Sequence, residues 1–181
     1  MKAVVIYESI YGNTRAIAEA LAEGLGGAGV YPVHEAAGHA EEADLLVVGG
    51  PTHMHGLATA RSRQMAASAA HEDGGLAVES SATAEPGLRQ WLHELQERPG
   101  ARAAAFDTRL DKSPWLTGVA SRGIAKRLRR HGYEVIASES FLVEDSEGPL
   151  ERGEIERARS WGAELAAAMA GDAGRPQEAS A

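Results

Sequence analysis

Six consecutive residues near the start of the chain have the side chains and spacing to hold a phosphate group. They form the loop Ser9-Ile10-Tyr11-Gly12-Asn13-Thr14. Ser9 and Thr14 supply hydroxyl groups, and Asn13 supplies an amide and an oxygen that could cap a helix. Gly12 lets the backbone curl inward. A helix directly after this loop would add unpaired N–H groups and a favourable dipole, so the pattern predicts an anion site.

Two later segments also carry polar and aromatic groups suited to ligand contact. The first is Gly49-Gly50-Pro51-Thr52-His53-Met54-His55-Gly56. The second runs from Asp107 to about Val119 and contains Thr108, Arg109 and Trp115. Two histidines two residues apart are a weak pattern for a metal site, and the chain has no cysteine to supply a third ligand. Ligand contact and ordinary loop histidines remain the two stronger interpretations, and no metal site is predicted.

The elements that would position these loops alternate along the chain. Continuous apolar runs predict strands over residues 3–7, 30–34, 43–48, 102–106 and 133–143. Amphipathic spacing predicts helices near residues 17–25 and over 57–69, 86–97, 120–131 and 153–169, with a loop over 71–84. The alanines of 102–106 favour a helix, but the alternation favours a strand. This order predicts a doubly wound α/β domain, whose ligands bind beyond the carboxyl ends of the strands.

The first strand, loop and helix resemble those of a known family. The residues Val5-Ile6-Tyr7-Glu8-Ser9-Ile10-Tyr11-Gly12-Asn13-Thr14-Arg15-Ala16-Ile17-Ala18 are similar to the flavodoxin signature of strand, Ser/Thr-x-x-Gly-x-Thr loop and helix. In that family the loop binds the phosphate of flavin mononucleotide (FMN) without a metal. The resemblance implies a single flavodoxin-like domain over residues 1–170, with FMN as cofactor. It also implies a five-stranded parallel sheet in the order 2-1-3-4-5, with helices on both faces.

Two details of the resemblance point to one branch of the family. Tyr11 stands where electron-carrier flavodoxins usually have Thr or Ser, and it resembles the Ser-x-Tyr-Gly form of flavodoxin-like quinone oxidoreductases. Residues 51–56 are similar to the Pro-Thr-x-x-x-Gly loop that binds the flavin ring in those enzymes. The resemblance therefore assigns cofactor contact to Pro51, Thr52, His53, Met54, His55 and Gly56 as well as to residues 9–14.

The third segment would complete the cofactor site. Backbone N–H groups of Asp107 and Thr108 are expected to reach flavin carbonyls. Arg109 would contact an anionic substrate or pair with a carboxylate such as Asp111. Trp115 would stack on the ring or remain an ordinary surface aromatic. No catalytic side chain is expected, because the flavin itself accepts the hydride.

Composition limits the partners and the location. The chain of 181 residues carries a formal net charge of −8, which argues against general nucleic-acid binding. No apolar stretch approaches the ~20 residues of a membrane span. The start does not resemble a signal peptide, and cysteine is absent, so we expect a soluble cytoplasmic protein. The tail over residues 171–181 has little apolar content and is expected to be mobile.

Two segments outside these loops leave alternatives open. The predicted helix 120–131 carries five basic side chains: Arg122, Lys126, Arg127, Arg129 and Arg130. They indicate either a solvated face near a helix C-terminus or a docking patch for an acidic partner. Residues 57–84 form an excursion beside the second loop. This excursion would cover the flavin or shape a substrate pocket, or it is a tolerated surface insertion.

The sequence leaves three functions to compare. The first is an FMN-dependent redox protein, either an electron carrier for a redox partner protein or an oxidoreductase. Such an enzyme would pass electrons to a small acceptor such as a quinone, with NAD(P)H as a candidate donor. The second is a flavin-free domain that acts as a scaffold. The third, a phosphorylation-controlled signalling domain, needs an acidic pair after strand one and an Asp ending strand three. Only Glu8 and Gly49-Gly50 stand there, so that function is not supported.

Overall fold

The computed structural model describes residues 1–53, 56–72, 78–79 and 81–173. Its helices and strands, in chain order, are β1 (Ala3–Tyr7), α1 (Asn13–Gly24), β2 (Gly29–Pro32), β3 (Leu45–His53), β4 (Gly56–Leu57), α2 (Ala60–Glu72), α3 (Leu88–Glu94), β5 (Arg102–Leu110), α4 (Pro114–Thr117), α5 (Ala120–Arg130), β6 (Glu134–Val143) and α6 (Glu154–Ala173). A short 3₁₀ helix, Val33–Glu35, follows β2, so the predicted second strand ends earlier than expected.

The five long strands form one parallel sheet in the order β2-β1-β3-β5-β6. This arrangement confirms the predicted α/β fold with a parallel sheet. The sheet also has a sixth strand, the two-residue β4, which pairs antiparallel with the end of β3. The sequence did not predict β4 because two residues are too short to show an apolar alternation.

Helices cover the sheet on both sides, which explains the continuous apolar runs of the central strands. Val4 and Ile6 of β1 face the cluster that contains α3 and α5. Val5 and Tyr7 face the opposite cluster, which contains α1 and α6. Since every position of β1 is buried, an ordinary polar side chain within it would lose its water without gaining a partner.

Two strands extend further than predicted, and this changes the setting of the candidate site residues. β3 continues through Gly49 and Gly50 to His53 instead of ending at Val48. Glycine is required at position 49 for this course, because a Cβ there would lie 2.1 Å from the Phe106 ring and would clash with it. β5 continues to Leu110, so the predicted loop beginning at Asp107 is in fact strand for its first four residues.

The last helix is also longer than predicted and reaches Ala173, which includes the first three residues of the expected tail. The remaining part of that tail, 174–181, lies outside the described residues. Within the part of the chain that the structure describes, no helix combines the length and apolar character needed to cross a membrane.

Candidate functional site

A cavity of about 270 Å³ lies at the carboxyl ends of β1, β3, β5 and β6. All three predicted segments contribute to it: the lining includes Ile10, Tyr11, Asn13, Thr14, Pro51, Thr52, His53, Thr108 and Arg109. The sequence missed three further lining residues: Leu110, Val143 and Ser146. Val143 ends β6 and Ser146 follows it, and neither belongs to a chemical pattern, so only the strand order brings them to this edge.

The loop between β1 and α1 has the geometry of an anion site. Gly12 is the N-cap of α1 and has a φ of +87°, a left-handed conformation that side chains disfavour. Its N–H donates to Ser9 Oγ over 3.1 Å. The N–H groups of the first helical turn, which begins at Asn13, have no intrahelical acceptors. These donors point out of the helix end, where the dipole favours negative charge.

The side chains of this loop are used differently from the prediction. Asn13 does not cap the helix, because Gly12 occupies the N-cap position. Its Nδ2 instead donates to the Glu147 carbonyl over 2.9 Å, which fastens the loop after β6 to α1. The Thr14 and Thr108 hydroxyls are buried and bond to each other over 2.8 Å. The backbone therefore supplies much of the loop's capacity to bind an anion.

Asp107 and Thr52 together form a cap for α5. Thr52 Oγ1 donates to Asp107 Oδ2 over 3.0 Å and accepts from the N–H of Ala120 over 2.9 Å. Asp107 Oδ2 also accepts from the N–H of Ser121 over 2.8 Å. Asp107 is completely buried and is not among the cavity lining. Its carboxylate thus holds the start of α5 against the end of β3, and the negative charge suits the helix N-terminus.

Arg109 lines the cavity and has one unpaired donor. Its Nη1 donates to the carbonyls of Leu110 and Lys112 over 3.1 and 2.9 Å, and no bond to Asp111 is seen. Its Nε is buried and has no acceptor among the described residues. A buried donor without a partner costs free energy, of the order of 1–3 kcal/mol. The guanidinium as a whole lines the cavity, where a phosphate or ring carbonyl oxygen of a ligand would accept from its accessible N–H groups.

The remaining predicted residues border the cavity or lie away from it. His53 lines it and pairs with Gly56 in the β3–β4 hairpin. Met54 and His55, which were predicted to contact the ring, lie outside the described residues. Trp115 lies on α4 with 87% of its surface exposed and is not part of the lining.

The end of the 57–84 excursion supports the loop between β1 and α1, residues 9–14, which we call the phosphate-type loop. The N–H of Glu79 donates to the Ile10 carbonyl over 2.9 Å. Ala82 packs on Ile10 in a small apolar cluster, and Val78 and Tyr11 pack against it. The Glu79 carboxylate also pairs with Arg15 of α1 over 3.0 Å. The described part of the excursion therefore braces this loop.

A buried ion pair anchors the other end of the excursion, and the sequence did not reveal it. Arg63 of α2 donates through Nη1 to Glu8 Oε2 over 2.9 Å, and both side chains are about 4% exposed. The N–H of Leu88 donates to the same oxygen over 2.8 Å. Burial raises the pKa of the Glu8 carboxyl, although Leu88 and Arg63 act in the opposite direction. The sequence contains one sign of this pair: Glu8 is a charged residue directly after the apolar strand β1.

Comparison with known proteins agrees with this geometry. The parallel order β2-β1-β3-β5-β6, which is 2-1-3-4-5 when the short antiparallel β4 is left out, is the flavodoxin-like order of doubly wound α/β proteins. The family model for flavodoxin matches residues 5–106, more than half of the chain, so the chain belongs to the flavodoxin family. Membership supports a flavin-binding redox role. No curated protein matches the chain at a significant level.

Solved structures show the same fold at low sequence identity. A flavodoxin of Streptococcus pneumoniae has 19% identity and a TM-score of 0.61, covering 93% of this chain and 99% of that chain. A WrbA-like flavodoxin of Agrobacterium tumefaciens has 20% identity and a TM-score of 0.60, with 94% and 98% coverage. An archaeal flavodoxin has 18% identity and a TM-score of 0.59, with 94% and 99% coverage.

The Glu8–Arg63 pair makes a clear prediction for stability. Replacing Arg63 by Met leaves the buried Glu8 carboxylate without its cation, and we expect a loss of about 3–5 kcal/mol in the free energy of unfolding. The double variant Glu8→Gln/Arg63→Met should recover much of that loss. Arg61→Met, on the exposed side of α2, is the matched control and should stay within ~0.5 kcal/mol. Urea denaturation measures all four proteins.

The same pair should give a pH dependence of known sign. Because the pKa of Glu8 is raised, the folded state holds that proton more tightly than the unfolded state, where the ordinary value is 4.5. The stability of the unaltered chain relative to Glu8→Gln should therefore fall as the pH rises from 4.5 through the raised pKa. Equal losses for Arg63→Met and Arg61→Met would contradict the structural role given to the pair.

Proposed function

We propose that the cavity at the carboxyl ends of the strands binds FMN and that the chain is an FMN-dependent redox protein. The observation that carries the proposal is the loop at Gly12, where the first turn of α1 presents free N–H groups to a cavity lined by all three predicted segments. Family membership supports a flavin as the ligand. The phosphate distinguishes FMN from other flavins, and the helix N-terminus is suited to that group.

The residues present fit this cofactor. The amides of the first turn of α1 would hold the phosphate, and the Arg109 guanidinium, which lines the cavity, would donate to a phosphate or ring oxygen. Pro51, Thr52 and His53 line the same cavity and would border the ring. Bound FMN would supply the hydride or electron transfer that a chain without cysteine cannot supply through thiols. The protein's own part is to bind, orient and shield the cofactor.

An oxidoreductase that takes electrons from NAD(P)H and passes them to a small acceptor such as a quinone is our preferred activity. Tyr11 and the Pro51–Thr52–His53 run support it, because they resemble the quinone oxidoreductases and line the cavity. Transfer to a redox partner protein is the second candidate. The exposed Trp115 is consistent with either one, since an exposed aromatic side chain suits a planar acceptor or a protein interface. A cytoplasmic location remains part of the proposal.

The phosphate anchor predicts a preference for FMN over riboflavin. The protein should bind FMN with absorbance bands near ~370 and ~450 nm and should bind riboflavin at least ~100-fold more weakly, as expected for the loss of several charge-assisted hydrogen bonds. Gly12→Ala should weaken FMN binding about tenfold by disturbing the left-handed turn, with riboflavin affinity unchanged. Titration followed by absorbance or fluorescence measures both.

Gly26→Ala is the matched control for this experiment. Gly26 has a φ of +86°, close to the +87° of Gly12, and follows the opposite end of α1. The two alanine variants therefore carry similar backbone strain, and only Gly12→Ala should affect the phosphate. Equal binding of FMN and riboflavin would remove the phosphate anchor. No binding of any flavin would favour the flavin-free scaffold.

Direct reduction by a nicotinamide nucleotide separates enzyme from carrier. We expect anaerobic mixing with NADH or NADPH to bleach the band near ~450 nm without any other protein, because the donor would reach the ring directly from solvent. Addition of a soluble quinone should restore the band. A band that persists with both nucleotides, yet bleaches with a chemical reductant, would establish the carrier role instead.

A further inference from the structure

A second cavity, of about 700 Å³, lies on the α3 and α5 side of the sheet, bordered also by the start of α2. None of its described lining residues belongs to the cavity at the carboxyl ends of the strands. Its size falls within the ~300–1,000 Å³ typical of small-molecule sites. It is therefore large enough for a ligand and separate from the proposed flavin site.

The charge of this cavity runs against that of the whole protein. The chain has a formal net charge of −8, yet four arginines and one glutamate line the cavity. These residues are Arg63, Arg89, Arg127, Arg130 and Glu85. Two histidines, His93 and His131, add further donors. A concave basic wall on an acidic protein concentrates anions.

The only acidic group among the described lining residues is already engaged. Glu85 accepts from Arg63 Nη2 over 2.5 Å and from the N–H of Gly87 over 3.0 Å. Arg63 in turn lies between Glu85 and Glu8, so its charge is compensated within the protein. Neither Glu85 nor Arg63 therefore balances the other three arginines.

Those three guanidinium groups have no carboxylate partner among the described residues. Arg89 donates through Nη2 to the Leu57 carbonyl over 2.7 Å, and Arg127 through Nη1 to the Gly123 carbonyl over 3.0 Å. Arg130 has neither an ion pair nor a side-chain hydrogen bond within the described chain. Each guanidinium has five N–H donors, so most of these donors remain available.

The same three arginines also repel one another. Burial, followed by the neighbouring charges of Arg89 and Arg130, lowers the pKa of Arg127. Arg127 is half-buried while Arg89 and Arg130 are exposed, so a bound anion would relieve chiefly the repulsion that acts on Arg127. The planar fork of arginine matches phosphate and carboxylate groups. Leu92 and Ala58 give the cavity an apolar wall suited to the body of an organic molecule.

We propose that this cavity binds a small organic polyanion whose phosphate or carboxylate groups contact Arg89, Arg127 and Arg130. This proposal gives one side of α5 a small-molecule ligand, a use that differs from the docking patch for an acidic partner considered from the sequence. Lys126 and Arg129 do not line the cavity and form the solvated face; Arg130 is also exposed, but it lines the cavity. Arg127 and Arg130 face the cavity from the same last turns of α5.

This division of α5 supplies a charge-matched experiment. Inorganic pyrophosphate is the probe, measured by isothermal titration calorimetry at low salt with excess FMN, which occupies the competing loop at Gly12. Arg127→Gln/Arg130→Gln should weaken pyrophosphate binding at least tenfold. Lys126→Gln/Arg129→Gln, which removes the same two charges, should change it less than threefold. FMN affinity should be the same in both variants.

Three outcomes would overturn the proposal. They are the absence of pyrophosphate binding by the unaltered chain, equal weakening in the two double variants, and loss of binding when FMN is added. Circular dichroism and the urea midpoint confirm that the variants are folded. Pyrophosphate binding by Arg89→Lys, which keeps the charge but removes the planar guanidinium, gives a second measure of the arginine fork. Citrate in place of pyrophosphate identifies the preferred head group. Whichever of citrate and pyrophosphate binds more tightly at these arginines, the result supports the site.

Discussion

Both faces of the central strands are covered by helices, and this constraint decides where polar chemistry can lie. β1 has no exposed position, and residues 45–50 of β3 are likewise buried. Polar side chains are excluded from the middle of such strands unless they find partners. They collect instead at the carboxyl edge, where Ser9, Thr52 and Thr108 end three neighbouring strands or begin their loops. The proposed flavin cavity is a consequence of that exclusion.

Three polar side chains at this edge stabilise helix starts. Asp107 and Thr52 accept the first N–H groups of α5, and Glu8 accepts the first N–H of α3. Each carboxylate gains from the positive end of a helix dipole, which compensates part of its lost hydration. The helices on the α3 and α5 face are thus held in register with the strand ends.

The sequence predicted what depends on local pattern. The strand, loop and helix around Gly12 are contiguous in the chain, so residue type and spacing identified them together. The parallel sheet followed from the alternation of apolar runs. The strand predicted over 102–106 is confirmed as part of β5. Its place in the alternation of strands and helices outweighs the helix propensity of its alanines.

What the sequence could not predict depends on contacts between distant segments. Asp107 was expected to lie in a loop, but β5 continues past it because its partner strand β3 also continues through two glycines. Glu8 and Arg63 are 55 residues apart, and neither forms a pattern alone. Val143 and Ser146 reach the cavity only through the strand order. Such residues require the fold before they can be assigned.

The 57–84 excursion is better described as a support shared by both cavities than as a surface insertion. At its start, Arg63 lines the second cavity and binds Glu8, whose next neighbour is Ser9 of the phosphate-type loop. At its end, Glu79 holds the Ile10 carbonyl of the same loop. Removal of the excursion would leave Glu8 buried without its cation and Ile10 without its cover. An inserted segment that the core tolerates would have neither contact, so the fold depends on this one.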